Sequence, residues 1–218
     1  MIYMYDIAKA YKSPTGKRII LHPTTLAIPS HRAVAILGRN GAGKSTLLRM
    51  IAGVEPPDQG RIVRTSSLSW PLGFGGGVHQ HLTGRQNAQM IADLHGADLD
   101  AVVDFVVDFA ELGDYIDMSV DTYSSGMKAR LNFAISFAID FDCYLIDEAT
   151  ATGDKRFKEK SLAAFNDRRS RSGLLFISHS PNTVRQFCDM GIVLRRGRLV
   201  PFENLEEAIR YYESEPGL

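Results

Sequence analysis

Apolar positions along this 218-residue chain follow two rhythms. Residues 33–37, 143–146, 174–177 and 192–194 are short runs unbroken by charge, as required of strands buried on both faces of a parallel sheet. Helical spacing recurs between them, so the pattern predicts an α/β fold with a mainly parallel core sheet. The opening sixty residues instead alternate in short pieces, at 2–7, 19–21, 26–28 and 61–64, punctuated by proline and glycine. They predict an antiparallel β layer beside the core sheet. Between 66 and 142 a glycine cluster (Gly73, Gly75, Gly76, Gly77) precedes helical stretches near 86–94, 101–112 and 127–139. This is read as a helical subdomain inserted into a core made of 1–65 and 143–218, the whole being one domain over 1–218. The last helical segment, 203–213, places Leu205, Ile209 and Tyr212 on one face.

The first apolar run leads into Gly38, Arg39, Asn40, Gly41, Ala42, Gly43, Lys44 and Ser45, followed by Thr46. This is the G-x-x-x-x-G-K-S/T phosphate loop. Its glycines let backbone N–H groups turn inward around phosphates, Lys44 offers a cation to the terminal oxygens, and the Ser45 hydroxyl can ligate Mg²⁺. Leu47, Leu48 and Ile51 then recur at helical spacing and Gly53 offers a stop, so the loop feeds a helix N-terminus that favours phosphate. The run at 143–146 ends in Asp147 and Glu148, at the carboxyl end of a buried strand, where ligands bind in open α/β sheets. Asp147 is expected to hold Mg²⁺ beside Ser45, and Glu148 to orient and polarise the water that attacks the γ-phosphate. Kinases of small metabolites share these two motifs, so hydrolysis and phosphoryl transfer both remain open at this point.

Composition narrows the partners. Lys plus Arg and Asp plus Glu each number 25, so no net charge recommends nucleic acid or an anionic membrane surface. The local excess at Arg168, Arg169 and Arg171 is read as a solvated helix face. Cys143 and Cys188 sit in apolar surroundings without metal-ligand spacing and are expected to be reduced structural thiols. The N-terminal residues carry no targeting pattern, and no run approaches the ~20 apolar residues of a membrane span. A soluble chain, or one held at a membrane by a partner, is expected.

A serine-glycine turn, Tyr123, Ser124, Ser125, Gly126 and Met127, lies ahead of Asp147 and opens the 127–139 helix. Alone it could be an ordinary N-cap, with Ser124 or Ser125 accepting from orphan amides. The order of phosphate loop, this turn, Asp147 and Glu148, then Ala151, Thr152, Gly153 and Asp154, then His179 resembles the ATP-binding subunits of ABC transporters over nearly the whole chain. The turn stands where that family usually has Leu-Ser-Gly-Gly-Gln. The resemblance implies a P-loop NTPase of the ABC ATPase type that hydrolyses ATP with Mg²⁺. It also implies a head-to-tail dimer, in which ATP lies between Lys44 and Ser45 of one copy and Ser124, Ser125 and Gly126 of the other. His179 would contact the γ-phosphate, Asp154 would lie in the D-loop at the dimer interface, and Tyr11 would stack on adenine. For Tyr11, packing within the antiparallel layer is the competing reading. The family's glutamine at the junction of core and helical subdomain has no clear counterpart: Gln80 stands too near the Leu82, Thr83, Gly84, Arg85 segment, and the Mg²⁺-sensing role stays unassigned.

The stretch from Trp70 to Asn87, with the Tyr123 turn and the Gly153 to Lys160 segment, is similar to the ATPases that export capsular polysaccharide in Gram-negative bacteria. O-antigen and teichoic-acid exporters share much of it, but O-antigen versions often carry an extra C-terminal glycan-binding domain. The resemblance implies a second copy of the chain, a polytopic membrane permease, periplasmic and outer-membrane export proteins, and a polysaccharide handled by the complex at the cytoplasmic face of the inner membrane. The glycine-rich loop would help receive the permease's coupling helix, unless it is simply a surface loop. A soluble ABC-type ATPase of DNA maintenance or translation and a P-loop kinase are the alternatives; no nucleic-acid partner is expected.

Overall fold

The first 28 residues form two long strands, β1 (Ile2–Ser13) and β2 (Gly16–Ile28), longer than the short pieces that alternation predicts. Register shifts between Met4 and Ala10 explain the difference. Each bulge breaks the two-residue period that sequence reading depends on, while pairing continues beyond it. The third strand of this sheet, β4 (Gln59–Arg64), pairs with the other edge of β1, giving the order β2-β1-β4, antiparallel throughout.

The structure is a computed structural model describing residues 1–14, 16–72, 77–147, 155–169, 171–178 and 180–214. These residues fall into two units. The first draws on the described parts of Met1–Pro71, Phe141–Glu148 and Arg171–Leu218 and holds a second sheet. That sheet comprises β3 (Ala33–Leu37), β5 (Cys143–Asp147), β6 (Gly173–Ile177), β7 (Met190–Arg195) and β8 (Arg198–Phe202), ordered β5-β6-β3-β7-β8. The four predicted apolar runs supply its parallel strands. β8, absent from the sequence expectation, returns antiparallel through Arg196 and Gly197, whose φ values of 50° and 72° suit a two-residue hairpin turn. Its Pro201 costs no ladder bond on the open side of an edge strand.

Helix α1 (Lys44–Ala52) follows β3, and Gly53 ends it at φ 82° with its N–H on Met50 O, the expected stop. Leu47, Leu48 and Ile51 pack with Ile2, Met4 and Ile7 of β1 and with Val34, Ile36, Leu145, Leu175 and Ile192 in one core. α1 therefore cements both sheets, and their apolar burial is the main source of stability in this unit. The short α6 (Pro181–Phe187), with Pro181 in its first turn, and α7 (Leu205–Glu213) complete the unit, and α7 buries Leu205, Ile209 and Tyr212.

The second unit spans the described parts of Leu72–Asp140 and Ala149–Ser170. It contains α2 (Gly84–His95), α3 (Leu99–Ala110), α4 (Ser125–Ala138) and α5 (Lys155–Arg169). Thr83 and Gln86 close a reciprocal capping box on α2, and Asp98 caps α3. α3 stops two residues short of the expected 112 because Glu111 turns left-handed at φ 51°. Phe109, Phe133, Phe137 and Phe157 interlock stacked and edge-on at 4.8 to 6.2 Å between centroids, and Phe157 brings α5 into this unit. Charges crowd the α5 sequence and hide its helical period. Among the described residues, no helix is long and apolar enough to cross a membrane.

Both cysteines are free and buried, and burial pushes the Cys143 thiol up to about 12, which agrees with the structural thiols expected from sequence. Ile36, fully buried between β6 and β7, tests the core: Ile36→Ala should lower unfolding free energy by roughly 2–5 kcal/mol, read from the shift in denaturation midpoint at unchanged m-value.

Candidate nucleotide site

Parallel pairing sets one row across the core sheet, in which Ile36 pairs with Ile177 and Ile177 with Asp147. The carboxyl ends of β3, β5 and β6 therefore open on the same edge. β3 continues into the glycine loop, which a turn closes through Ala42 N–H donating to Arg39 O at 3.1 Å, with Gly41 at φ 76°. Gly43 has φ 108°, and a Cβ there would stand 2.4 Å from Ile20 Cγ2. Only glycine satisfies both conditions. Gly43 also supplies no side chain to cap α1, so the helix start presents backbone amides and the positive end of its dipole.

Lys44 is buried, and its ammonium donates to Gly38 O at 2.5 Å and Arg39 O at 3.0 Å, which folds the side chain back over the loop. Ser45 Oγ donates to Asp147 Oδ2 at 2.5 Å. A hydroxyl and a carboxylate are hard oxygen donors of the kind Mg²⁺ takes. The sequence pairing of Ser45 with Asp147 thus appears as direct contact, at the mouth of the loop.

Tyr11 approaches from the antiparallel sheet. Its hydroxyl donates to Glu55 Oε1 at 2.5 Å and lies 3.5 Å from Thr46 Oγ1, in the first turn of α1. Glu55 also receives Lys9 at 3.0 Å and Arg49 at 3.1 Å, and Lys9 stands 5.5 Å from the Tyr11 ring centroid. Burial disfavours the Glu55 charge, but donation from Tyr11, Lys9 and Arg49 outweighs it and holds the carboxyl below its ordinary range. Burial likewise opposes the Lys9 charge, and Glu55 and Asp58 together more than offset it, raising the ammonium pKa. Tyr11 is thus anchored at its hydroxyl end beside the phosphate loop.

The serine-glycine turn lies in the second unit. Ser124 is the N-cap of α4, accepting from Met127 N–H at 3.2 Å, and Ser125 is the first helical residue. Both are exposed. Among the described residues, a Cβ on Gly126 would meet only Ser124 Oγ, at 3.9 Å, so their packing does not demand glycine there. Tyr123 pins the turn, its hydroxyl donating to Tyr115 O at 2.5 Å. In the Trp70 to Asn87 stretch, Trp70 sits edge-on to Phe141, and buried Asn87 accepts from His79 N–H and donates to His79 O and Thr83 O. Gln80 is exposed, its carbonyl accepting from Asp121 N–H and Ser119 Oγ. Glu148, Asp154 and His179 lie outside the described residues, as do Gly73, Gly75 and Gly76.

Sequence reading missed Glu55, Lys9, Arg49 and Arg18. Arg18 pairs with Tyr11 across β1 and β2 and donates to Gly41 O at 2.6 Å. No motif marks these residues; only the hairpin register could have found Arg18.

A loop, strand-end acid and capped turn in this order define an ATP-binding cassette. The family model described as ABC transporter matches residues 21–151. The polysialic acid transport ATP-binding protein KpsT of Escherichia coli is 45% identical over 98% of this chain and 96% of its own length. The capsule polysaccharide export ATP-binding protein CtrD of Neisseria meningitidis serogroup B is 45% identical over 99% and 100%. Among solved structures, a dimeric ATP-binding cassette bound to ADP and phosphate in a post-hydrolysis state superposes with a TM-score of 0.77 at 19% identity, covering 94% of this chain and 99% of that one. The chain belongs to the ABC transporter family, as an ATP-binding subunit of the ATP-hydrolysing class.

Glu55 gives a pH test. Its pKa is lowered in the folded protein, so its stabilisation is complete above the unfolded value of about 4.3 and disappears as pH falls through the folded value. The gap in melting temperature between wild type and Glu55→Gln should be constant near neutrality and close in acid; a gap that persisted in acid would remove ionised Glu55 from the network.

Proposed function

We propose that this chain is the ATPase subunit of a capsular polysaccharide exporter, and that it works as a head-to-tail dimer with ATP bound between copies. Its likeness at 45% identity along nearly the full length to proteins named for polysialic acid transport and capsule export carries the substrate class. The Ser45 to Asp147 contact at the loop mouth supports the chemistry. Gly38 to Gly43 and the first amides of α1 cradle the phosphates, with Lys44 on the terminal oxygens. Tyr11 stacks on adenine. Ser45 and Asp147 would hold Mg²⁺, which would neutralise phosphate charge when bound.

Glu148 orients a water against the γ-phosphorus. As the water oxygen bonds to phosphorus it gives a proton to the Glu148 carboxylate, the bond to the bridging oxygen breaks, and ADP leaves with that electron pair while phosphate forms. His179 contacts the γ-phosphate and registers its loss. From the second copy, Ser125 and Gly126 close over the same phosphate, Ser124 holds their helix start, and Asp154 lines the interface. ATP then favours the closed dimer and hydrolysis reopens it, because ATP bridges two surfaces that its products bridge less well. A polytopic permease in the inner membrane converts this motion into export, with the chain on its cytoplasmic face and periplasmic and outer-membrane proteins completing the route.

Glu148→Gln should lower ATP turnover by ~10²–10⁴-fold while ATP binding survives. With ATP, the same variant should sediment as a dimer, and adding Ser125→Arg should return it to monomer. Near-wild-type hydrolysis by Glu148→Gln would remove Glu148 from the role of base. Formation of a phosphorylated small molecule in place of free phosphate would make the protein a kinase.

A further inference from the structure

We propose that Arg18 is a positioning residue for the phosphate loop, clamping it from outside through the Gly41 carbonyl. The inference rests on the reading of residues 38–46 as the ATP phosphate seat. Arg18 stands directly opposite Tyr11 in the β1–β2 register, and side chains so paired project to the same face of the sheet. From this one end of the hairpin, Tyr11 reaches Thr46 and Glu55, and Arg18 reaches Gly41. The hairpin thus grips the loop and the helix that follows it at two separate points.

The point Arg18 holds is a glycine turn within the loop. Gly41 sits at φ 76° as the third residue of the turn closed by Ala42 N–H on Arg39 O. Glycine crosses between backbone regions with little penalty, so this peptide can reorient unless something fixes it. In a planar trans peptide the carbonyl and the next N–H point to opposite sides. Guanidinium donation at 2.6 Å to Gly41 O therefore fixes the Gly41–Ala42 peptide from the carbonyl side while Arg39 O holds its N–H. A charged donor makes this stronger than an ordinary loop hydrogen bond. Holding the turn before nucleotide arrives reduces the ordering cost of binding. Arg18 is itself exposed, so its removal leaves no hole in the core.

The test compares wild type, Arg18→Ala and Arg18→Lys in calorimetric titrations with ATP and with inorganic tripolyphosphate, alongside steady-state hydrolysis. Arg18→Ala should weaken both ligands by ~10-fold, equivalent to ~1.4 kcal/mol. KM should rise by a similar factor with kcat within about 2-fold, as for loss of binding shared by ground and transition states. Arg18→Lys should recover part of the affinity, since an ammonium can still donate to one carbonyl, and melting temperature should stay unchanged. Tyr11→Ala should weaken ATP more than tripolyphosphate, whereas Arg18→Ala weakens both alike, separating the base seat from the loop clamp. Wild-type tripolyphosphate affinity in Arg18→Ala, or a loss that follows a falling melting temperature, would overturn the proposal. If Lys44→Ala bound ATP as wild type does, the loop would not be the phosphate seat, and the role of Arg18 would fall with that assignment.

Discussion

One hydrogen bond, from Ser45 to Asp147, joins residues 102 positions apart in the chain, and the site is organised around it. It can form only if β5, β6 and β3 stand side by side with their carboxyl ends level, as the row from Asp147 through Ile177 to Ile36 sets them. A one-residue slip of either ladder would turn Asp147 to the other face of the sheet. The apolar sequences of β3, β5 and β6 secure the register, because each strand is buried along almost its whole length. Chemistry at the strand ends therefore depends on hydrophobic burial several residues before them.

The antiparallel sheet adds a second constraint from the opposite side of α1. Ile20 packs where a side chain on Gly43 would have to go, Arg18 holds Gly41, and Tyr11 meets the first turn of α1 through Thr46 and Glu55. The two kinds of cation contact differ physically. Lys9 and Arg49 are paired with the Glu55 carboxylate, and removing one partner of a half-buried ion pair leaves the other charge uncompensated. The Lys44 ammonium reaches backbone oxygens of Gly38 and Arg39. A phosphate oxygen carries more charge than a carbonyl dipole, so it can compete for that ammonium. The same protein surface thus combines fixed ion pairs that shape the seat with a cation whose carbonyl contacts can be exchanged for the substrate's.

Local pattern accounts for the parts of this arrangement that sequence revealed. The four parallel strands, the loop, the Gly53 stop and the apolar face of α7 each lie within one short segment whose periodicity or turn chemistry is complete in itself. β1 and β2 were legible only in pieces because bulges between Met4 and Ala10 reset the alternation. β8 mixes half-exposed apolar residues with Pro201, and the charges of α5 mask its period. Arg18, Lys9, Arg49 and Glu55 were hidden for another reason. Their meaning comes from pairing between strands and from the turn after α1, and no spacing rule along the chain encodes either.

The start of α4 has the features that a site shared with another copy, as proposed, would need. Ser124 has its oxygen engaged in capping Met127 N–H, and Tyr123 is pinned beneath it, so the turn is rigid without being crowded. Among the described residues, a side chain on Gly126 would face almost nothing. Glycine is a poorer helix former than alanine, by about 1 kcal/mol in a helix interior, and among the described residues the packing around Gly126 offers no compensation for it. Close approach by a group from outside would, because the missing side chain leaves backbone amides open at a helix N-terminus. In a two-fold dimer, any surface that reaches one partner's loop is matched by the reciprocal contact, giving two composite sites. A γ-phosphate held by Lys44 on one side and by the α4 start on the other would then be part of the interface, and its free energy of binding would count toward association. On that reading, the glycine lowers the stability of a single chain slightly so that ATP can stabilise the pair.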